Sequence, residues 1–481
     1  MSFLSANFAA CLAAGLLAFH LGGARWRPLL LLALSVAFYC TWNPWHLPVL
    51  LGATGLVYAA GRLIEGSASQ SAQLRLTALA VSGLVLLLIF FKCASALVGA
   101  LALGPAANRA DVIVALAAPL GLSYFLFKLI GYLLDVYWGQ LPAQRNFVSL
   151  ALYASFFPQI VSGPIQRAED FFEQLTRIDR VDEAAFVTGL RRIAFGLFKK
   201  IVVADQLGIA VARIHTGVAE HSALELLVGA YFFSLQMYAD FSGITDIALG
   251  IGQLFGIKGP ENFARPYFAR NLQDFWRRWH MSLTSWLTDY LFQPLRISLR
   301  ELGNTGLALA IFVNMVAVGV WHGPRWTYLV FGCLNGLFMI VSVLTLKQRN
   351  AFFRTRPLLS RLRVVAGPLI TFHLVVATHV FFQAPDLGSA LGYFAHMLPG
   401  PGHPAAASFH LSVFGVPPVR LAEALAGLCI VEAVNWATIT PRWVARFSAT
   451  PRPVRWALYY ALVLVVIFTA KGTASFIYAK F

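Results

Sequence analysis

Long apolar runs alternate with short polar stretches along most of the chain. They lie near residues 4–23, 29–42, 46–62, 76–95, 112–137, 148–163, 186–212, 223–256, 305–322, 326–346, 364–382, 420–437 and 456–475. A helix needs about 20 mostly apolar residues to cross a bilayer. The runs are continuous, whereas the strands of a membrane barrel alternate in shorter segments. The pattern therefore predicts an all-α, polytopic membrane protein with about 11–13 hydrophobic helices.

Some of these runs contain residues that interrupt a helix. Pro119 and Gly121 divide the run 112–137, and Lys199 and Lys200 lie inside the run 186–212. Such breaks are typical of re-entrant or cavity-lining helices, whose freed backbone groups are satisfied inside the protein. The chain shows no internal repeat, which disfavours a transporter built from two similar halves.

The segment 257–304 differs from its apolar neighbours because it is both polar and aromatic. Its basic side chains outnumber its acidic ones, and Trp276, Trp279 and Trp286 are interleaved with them. This composition favours amphipathic helices lying in the membrane interface over a simple pair of spans. The basic excess assigns the segment to the cytoplasmic side.

The composition excludes several classes of protein. Of 481 residues, 58% are hydrophobic and 12% are charged, so a soluble enzyme, a disordered chain and a disulfide-stapled secreted domain are ruled out. The net charge of +16 would indicate nucleic acid binding in a soluble protein. Here it is explained by basic cytoplasmic loops, and membrane lipid, not nucleic acid, is the expected partner. The five cysteines form no CxxC pair, so neither a disulfide framework nor a metal site is expected.

Basic residues also predict the topology of the C-terminal third. The segments 347–363 and 442–455 contain six and four basic residues and no acid, whereas 383–417 contains no Lys or Arg. This alternation predicts that 347–363 and 442–455 lie on the inner side of the membrane and 383–417 on the outer side. The C-terminus is then also on the outer side. At the other end, Arg25 and Arg27 follow the first apolar run and no basic residue precedes it. We therefore expect a first span with an outer N-terminus, not a cleaved signal.

The carboxylates of Asp240 and Asp246 lie deep inside the apolar run 223–256, which is energetically expensive in a membrane. Asp240 is followed by Ser242, and Asp246 comes six residues after Asp240. One interpretation is the wall of a substrate pocket. The other is a structural break in which the acids pair basic residues of 257–304.

A second polar cluster is rich in Trp and Arg. It contains Trp276, Arg277, Arg278 and His280. These residues are typical of a helix anchored at the membrane surface. They are equally suited to a phosphate-bearing donor, because arginine binds phosphate through paired hydrogen bonds and stacks on rings.

A third cluster places a histidine within the apolar region 305–346. Trp321 and His322 are followed by Gly323 and Pro324, which end a helix and open space beside the ring. A histidine in a membrane segment indicates a functional site by default, with packing as the alternative. His373 and His379 are interpreted as tunnel or packing residues.

Together these clusters resemble the membrane-bound O-acyltransferase superfamily, and within it the branch that O-acetylates alginate. The resemblance is densest over 150–340 and its segment order extends along nearly the whole chain, as a single domain 1–481. The strings that carry it are Phe157 to Arg167, Tyr238 to Gly250, Glu261 to Tyr267, Asp274 to Leu283, Asp289-Tyr290 and Trp321-His322-Gly323.

The resemblance implies helices around a central tunnel, with His322 as the catalytic histidine and His280 as the second family histidine. The pocket or donor-binding residues that it implies are Trp321, Asp240, Ser242, Asn262, Arg265, Trp276, Arg277, Arg278, Asp289 and Tyr290.

The same resemblance implies an enzyme of the bacterial inner membrane without a bound cofactor or metal. It would take acetyl from a cytoplasmic donor, acetyl-CoA, for O-acetylation of an exported polysaccharide such as alginate, together with periplasmic acetyltransferase partner proteins. Two alternatives stay open at this point. One is transfer of D-alanyl or another acyl group to teichoic acid or peptidoglycan, and the other is a membrane transporter.

Overall fold

The computed structural model describes residues 3–101, 118–178, 183–398 and 409–470. In these ranges the backbone forms helices and turns, and its β-type pairing is an isolated antiparallel bridge between Phe263 and Trp279. The chain divides into two compact units. Unit 1 comprises 1–193 and 247–260, and unit 2 comprises 194–246 and 261–481.

The first helices belong mainly to unit 1. They are α1 (Ala6–Leu21), α2 (Arg27–Cys40), α3 (Leu47–Gly66), α4 (Gln70–Leu101), α5 (Leu122–Tyr137), α6 (Phe147–Ser155), α7 (Phe157–Ile160), α8 (Ala168–Leu175) and α9 (Glu183–Phe198).

The later helices belong mainly to unit 2. They are α10 (Asp205–Thr216), α11 (Ala223–Leu254), α12 (Leu272–Trp276), α13 (Met281–Leu287), α14 (Gln293–Ser298), α15 (Gly303–His322), α16 (Trp326–Leu344), α17 (Leu346–Arg354), α18 (Pro357–Gln383), α19 (Leu387–His396), α20 (Pro418–Thr438), α21 (Pro441–Ala449) and α22 (Arg452–Thr469).

Seven helices of the described chain are long and apolar enough to cross a membrane, which confirms the predicted polytopic all-α class. They are Pro44–Gly66, Gln70–Ala94, Arg300–His322, Trp326–Leu344, Pro357–Gln383, Pro418–Thr438 and Arg452–Thr469. Shorter apolar helices cover Ala6–Leu21 and Phe147–Ile160. The predicted total of about 11–13 hydrophobic helices counts shorter helices of this kind together with the full spans.

The two predicted helix breaks have different outcomes in the structure. Gly121 has φ of 65°, and α5 begins immediately after it. A side chain there would collide with the carbonyl oxygen of Ile160 in the same unit, so only glycine suits the position. At Lys199–Ala204 the helix is not interrupted, because a π-helical turn connects α9 directly to α10. Insertions of this kind are frequent at functional sites.

The polar segment 257–304 consists of short helices, as predicted, and not of two full spans. Helices α12, α13 and α14 contain five, seven and six residues. A π-helical turn, Thr288–Phe292, joins the last two. This sequence of short elements allows sharp changes of direction within a few residues, and one of them positions a histidine of the candidate site.

Helices α15 and α16 pack very closely, and this packing fixes the position of His322 at the end of α15. A Cβ atom at Gly332 would lie 2.7 Å from the carbonyl oxygen of Met315, and one at Gly319 would collide with the carbonyl oxygen of Tyr328. Small residues allow such close approach in membrane helices. Helix α18 packs on α16 and contributes Phe382 to the same region.

Candidate active site

His322 is the last residue of α15, and its ring is enclosed by aromatic side chains. The residue is 7% exposed. Phe382 meets the imidazole edge to face at a centroid distance of 4.7 Å, and the neighbouring Trp321 lies at 4.8 Å. Tyr328, on the next helix, is at 6.0 Å. The helix ends at His322, as the Gly323-Pro324 pair predicts, and the imidazole lies in a pocket formed by these aromatic rings.

His280 lies in the same unit and is even more buried, at 2% exposure. Its backbone is left-handed, with φ of 45° and ψ of 52°, and it directly precedes α13. The ring packs edge to face on Phe241 at 4.7 Å. Neither ring nitrogen has a hydrogen-bond partner among the described residues. Burial lowers the pKa of His280 to about 3, so the imidazole is neutral at physiological pH.

Both histidines contact the same indole. The centroid of Trp321 is 5.8 Å from that of His280 and 4.8 Å from that of His322. The resemblance implied both histidines without fixing their separation. In the structure both histidines contact the same tryptophan, which defines the centre of the candidate site.

The left-handed turn at His280 is held by Asn262, which is completely buried. The carboxamide oxygen of Asn262 accepts a hydrogen bond from the Ser282 hydroxyl at 2.6 Å, and its nitrogen donates to Thr245 Oγ1 at 3.3 Å. The Asn262 carbonyl accepts from the Met281 N–H at 3.0 Å. A left-handed backbone at a residue other than glycine persists only when its surroundings fix it. Asn262 therefore positions the imidazole of His280.

Arg265 extends this support toward the C-terminal helices. It too is left-handed, with φ of 52°. Its Nε lies 3.3 Å from a carboxylate oxygen of Glu432, which belongs to α20. The neighbouring Ala264 donates its N–H to the carbonyl of Arg278 at 3.0 Å. An ion pair with a membrane-helix carboxylate thus anchors the segment that carries Asn262.

The arginines of the second cluster do not surround His280, which the sequence places among them on a polar surface. Arg278 donates from Nε to Asp274 at 2.8 Å, whereas Arg277 is exposed. Trp276 is buried against Phe331, and its indole nitrogen has no hydrogen-bond partner within the described residues. The reversal of the chain at His280 turns its ring into the aromatic cluster and away from the arginines.

The acidic side chains Asp240 and Asp246 of α11 pair with lysines of the π-helical turn Lys199–Ala204. Asp246 pairs with Lys199 at 2.7 Å, and Asp240 pairs with Lys200 at 2.8 Å. Lys200 also contacts Asp205 at 2.7 Å. The sequence predicts partners within 257–304, and this prediction named the wrong residues, because the lysine pair lies closer to α11 in the fold. The geometry supports the structural interpretation of Asp240.

The remaining residues implied by the resemblance differ in their surroundings. Ser242 is buried, and its hydroxyl has no hydrogen-bond partner in the described ranges. Asp289 is exposed in the π turn Thr288–Phe292. Tyr290, in the same turn, packs on Trp286 at 5.0 Å. The resemblance remains the basis for assigning these three residues to the site.

The sequence interpretation gave His379 too little weight. This residue of α18 is buried, with its ring 5.8 Å from Trp279 and 6.4 Å from Phe331. The signal was present, because any ionisable residue within a membrane span indicates function by default. Within the described ranges no group of three or more His, Cys, Asp or Glu side chains is arranged to hold a metal ion.

Comparison with known proteins adds the family. The model of the membrane-bound O-acyltransferase family matches residues 140–382. The chain is 32% identical to the probable alginate O-acetylase AlgI of Pseudomonas putida over 389 residues, covering 79% of this chain and 76% of that protein. It is 32% identical to the peptidoglycan O-acetyltransferase of Helicobacter pylori, covering 74% and 71%. Identity to the teichoic acid D-alanyltransferase of Bacillus subtilis is 29%, covering 53% and 66%.

Proposed function

The chain belongs to the membrane-bound O-acyltransferase family, and we propose that it moves acetyl from a cytoplasmic donor for the O-acetylation of an exported polysaccharide. It is a multi-pass membrane acyltransferase. The finer proposal is that acetyl-CoA supplies the acyl group and that a hydroxyl of a polymer such as alginate receives it. The proposed location is the bacterial inner membrane, which has the cytoplasmic donor on one side and the exported polymer on the other.

The choice of acetyl is supported by the relatives. The matches to an alginate O-acetylase and to a peptidoglycan O-acetyltransferase extend over 79% and 74% of the chain, and the match to a D-alanyltransferase extends over 53%. A small acyl group also suits the tight enclosure of His322 by Phe382 and Trp321.

One observation supports the proposed chemistry above the others. His322 and His280 both contact the indole of Trp321, at 4.8 Å and 5.8 Å, inside a buried aromatic cluster. An imidazole that is neutral at physiological pH has a lone pair to accept a proton. A largely water-excluded site also protects a reactive thioester from hydrolysis.

In this proposal His322 is the general base. It removes the proton of the attacking hydroxyl while the hydroxyl oxygen bonds to the thioester carbonyl carbon. The carbon–sulfur bond then breaks, and the departing thiolate receives the proton from the imidazolium of His322. The products are an acetyl ester and a free thiol. General base catalysis contributes about 10²–10⁴ in rate.

His280 and Arg277 are proposed to bind the donor. The His280 ring is neutral and buried, so it offers one N–H and one lone pair to a substrate. Arg277 is exposed and free of the ion pair that engages Arg278, so it is able to bind a phosphate group. Acetyl then passes to the polymer directly or through periplasmic acetyltransferase partner proteins.

The test is turnover by the purified protein. Acetyl-CoA is supplied alone, then with alginate oligosaccharide, and then with periplasmic partner proteins, and free CoA thiol and ester formation are measured. The proposal predicts thiol release coupled to ester formation. Release only from a D-alanyl carrier protein would replace it with D-alanyl transfer. Transport of a solute without thiol release would contradict it altogether.

A further inference from the structure

A third histidine reaches the aromatic cluster from α18. His379 is 3% exposed, and its ring stacks on Phe331 at a centroid distance of 6.4 Å. Phe331 also lies 6.3 Å from the ring of His322. One turn along α18, Phe382 contacts His322 at 4.7 Å. The same face of one helix therefore carries His379 and a wall of the His322 pocket.

The hydrogen bonds of Ser234 favour one tautomer of His379. The Ser234 hydroxyl donates its single proton to the carbonyl of Ala230 at 3.1 Å. His379 Nδ1 lies 3.0 Å from the same hydroxyl oxygen. With the hydroxyl proton directed at Ala230, that oxygen offers lone pairs to Nδ1, which favours the tautomer that carries its proton on Nδ1. In the neutral ring, Nε2 is then left with an unprotonated lone pair.

Nothing in the described chain satisfies this lone pair. The hydrogen bond to Ser234 is the one that His379 makes among the described residues. His373 on the same helix shows the contrast, since its Nδ1 contacts the Leu369 carbonyl and its Nε2 contacts the Tyr231 hydroxyl, both at 2.7 Å. Nε2 of His379 is therefore able to form a hydrogen bond with a bound molecule.

We propose that His379 is a further substrate-binding residue, whose Nε2 accepts a hydrogen bond from an N–H or O–H group of a substrate bound beside His322. The inference rests on the proposed acyl transfer and deepens it. The donor group belongs either to an amide of the thioester donor or to a hydroxyl of the acceptor. Ser234 is the positioning residue, because it favours the tautomer that presents the lone pair.

Two substitutions separate binding from structure. In His379→Asn the carboxamide nitrogen takes the place of Nδ1, so the bond to Ser234 is kept and the acceptor at Nε2 is lost. In His379→Gln the carboxamide oxygen takes the place of Nε2, so the acceptor is kept and the bond to Ser234 is lost. His373→Ala, on the same helix, is the matched control.

The experiment measures kcat and the KM of each substrate, with acetyl-CoA and alginate oligosaccharide varied in turn. His379→Asn is expected to raise one KM about tenfold, as the loss of one hydrogen bond predicts, with little change in kcat. His379→Gln should restore most of that loss. The KM that changes identifies the substrate that donates the hydrogen bond. If both variants leave both KM values within twofold of wild type, or lose activity only in proportion to folded protein, the proposal is wrong.

A second measurement does not depend on turnover. Ring ¹⁵N chemical shifts of the histidine-labelled protein, assigned by difference from His379→Gln, report which nitrogen is protonated. An unprotonated Nε2 that becomes mixed in Ser234→Ala supports the proposal. A protonated Nε2 in the wild type overturns it. If wild type does not turn over acetyl-CoA, the proposed function fails, while this measurement still decides whether His379 presents an acceptor.

Discussion

The rings of His280 and Trp321 pack at 69° to each other, with centroids 5.8 Å apart. This contact joins a short polar segment to the end of a long apolar helix, although the two residues are far apart in sequence. It explains how a histidine preceding α13 and one ending α15 become parts of one site. The left-handed backbone at His280 directs the ring toward the indole.

Acidification should destabilise the protein partly through His280, which lies outside the candidate spans. Burial lowers the pKa of His280 from its ordinary value of 6.5 to about 3. Between these values the unfolded chain binds a proton that the folded protein does not bind. The contribution of neutral His280 to the free energy of unfolding should therefore be complete above pH 6.5. It should fall as the pH decreases, by up to about 1.4 kcal/mol per pH unit.

The matched variant is His280→Asn, because asparagine tolerates a left-handed backbone and does not titrate. We expect the thermal unfolding midpoint to fall between pH 7 and pH 5 in both proteins, with a larger fall in wild type. Equal falls would show that His280 is not held neutral in the folded state.

Breaking the buried ion pairs should cost far more than breaking an exposed one. Lys200 bridges Asp240 and Asp205 and its side chain is 2% exposed. Lys200→Met leaves these carboxylates without that charge, and removal of one partner of a buried pair typically costs about 3–5 kcal/mol. Arg420→Met, which breaks the exposed pair with Glu423, should cost well under 1 kcal/mol. Yield and unfolding midpoint in detergent provide the measurement, and equal effects would contradict the structural role.

The two neighbouring arginines should behave differently. Arg277→Gln should raise the KM for acetyl-CoA several-fold with little effect on stability, because the exposed guanidinium is proposed to bind phosphate. Arg278→Gln should lower stability instead, since it removes the bonds to Asp274 and to the Ala264 carbonyl. Steady-state kinetics and thermal unfolding of both variants test this. An unchanged KM in Arg277→Gln would remove that residue from the donor site.

The topology prediction concerns residues on opposite sides of the membrane. In a background without native cysteines, Ser389→Cys in α19 should react with a membrane-impermeant thiol reagent in intact spheroplasts. Ser360→Cys near the start of α18 should react only after the membrane is opened, because its segment is basic. The reverse labelling pattern would overturn the orientation of the C-terminal third.

The helices were predictable because apolar length is a local property. Gly121 immediately precedes a helix start, as predicted, whereas at the Lys199-Lys200 pair the helix continues through a π-helical turn. The partners of Asp240 were not predictable, because they depend on which helices meet in the fold. The position of His280 was missed for the same reason. Its left-handed turn depends on Asn262, which is 18 residues away along the chain.

The central claim is that His322 performs the chemistry, and one comparison tests it most directly. Acetyl ester formation in cells and acetyl-CoA turnover in detergent are measured for His322→Ala and His373→Ala, at matched expression and matched folded fraction. The account predicts that the His322 variant loses about 10²-fold or more of its activity, as expected for a general base, and that the His373 variant stays near wild type. Activity of the His322 variant within a few-fold of wild type would contradict the account.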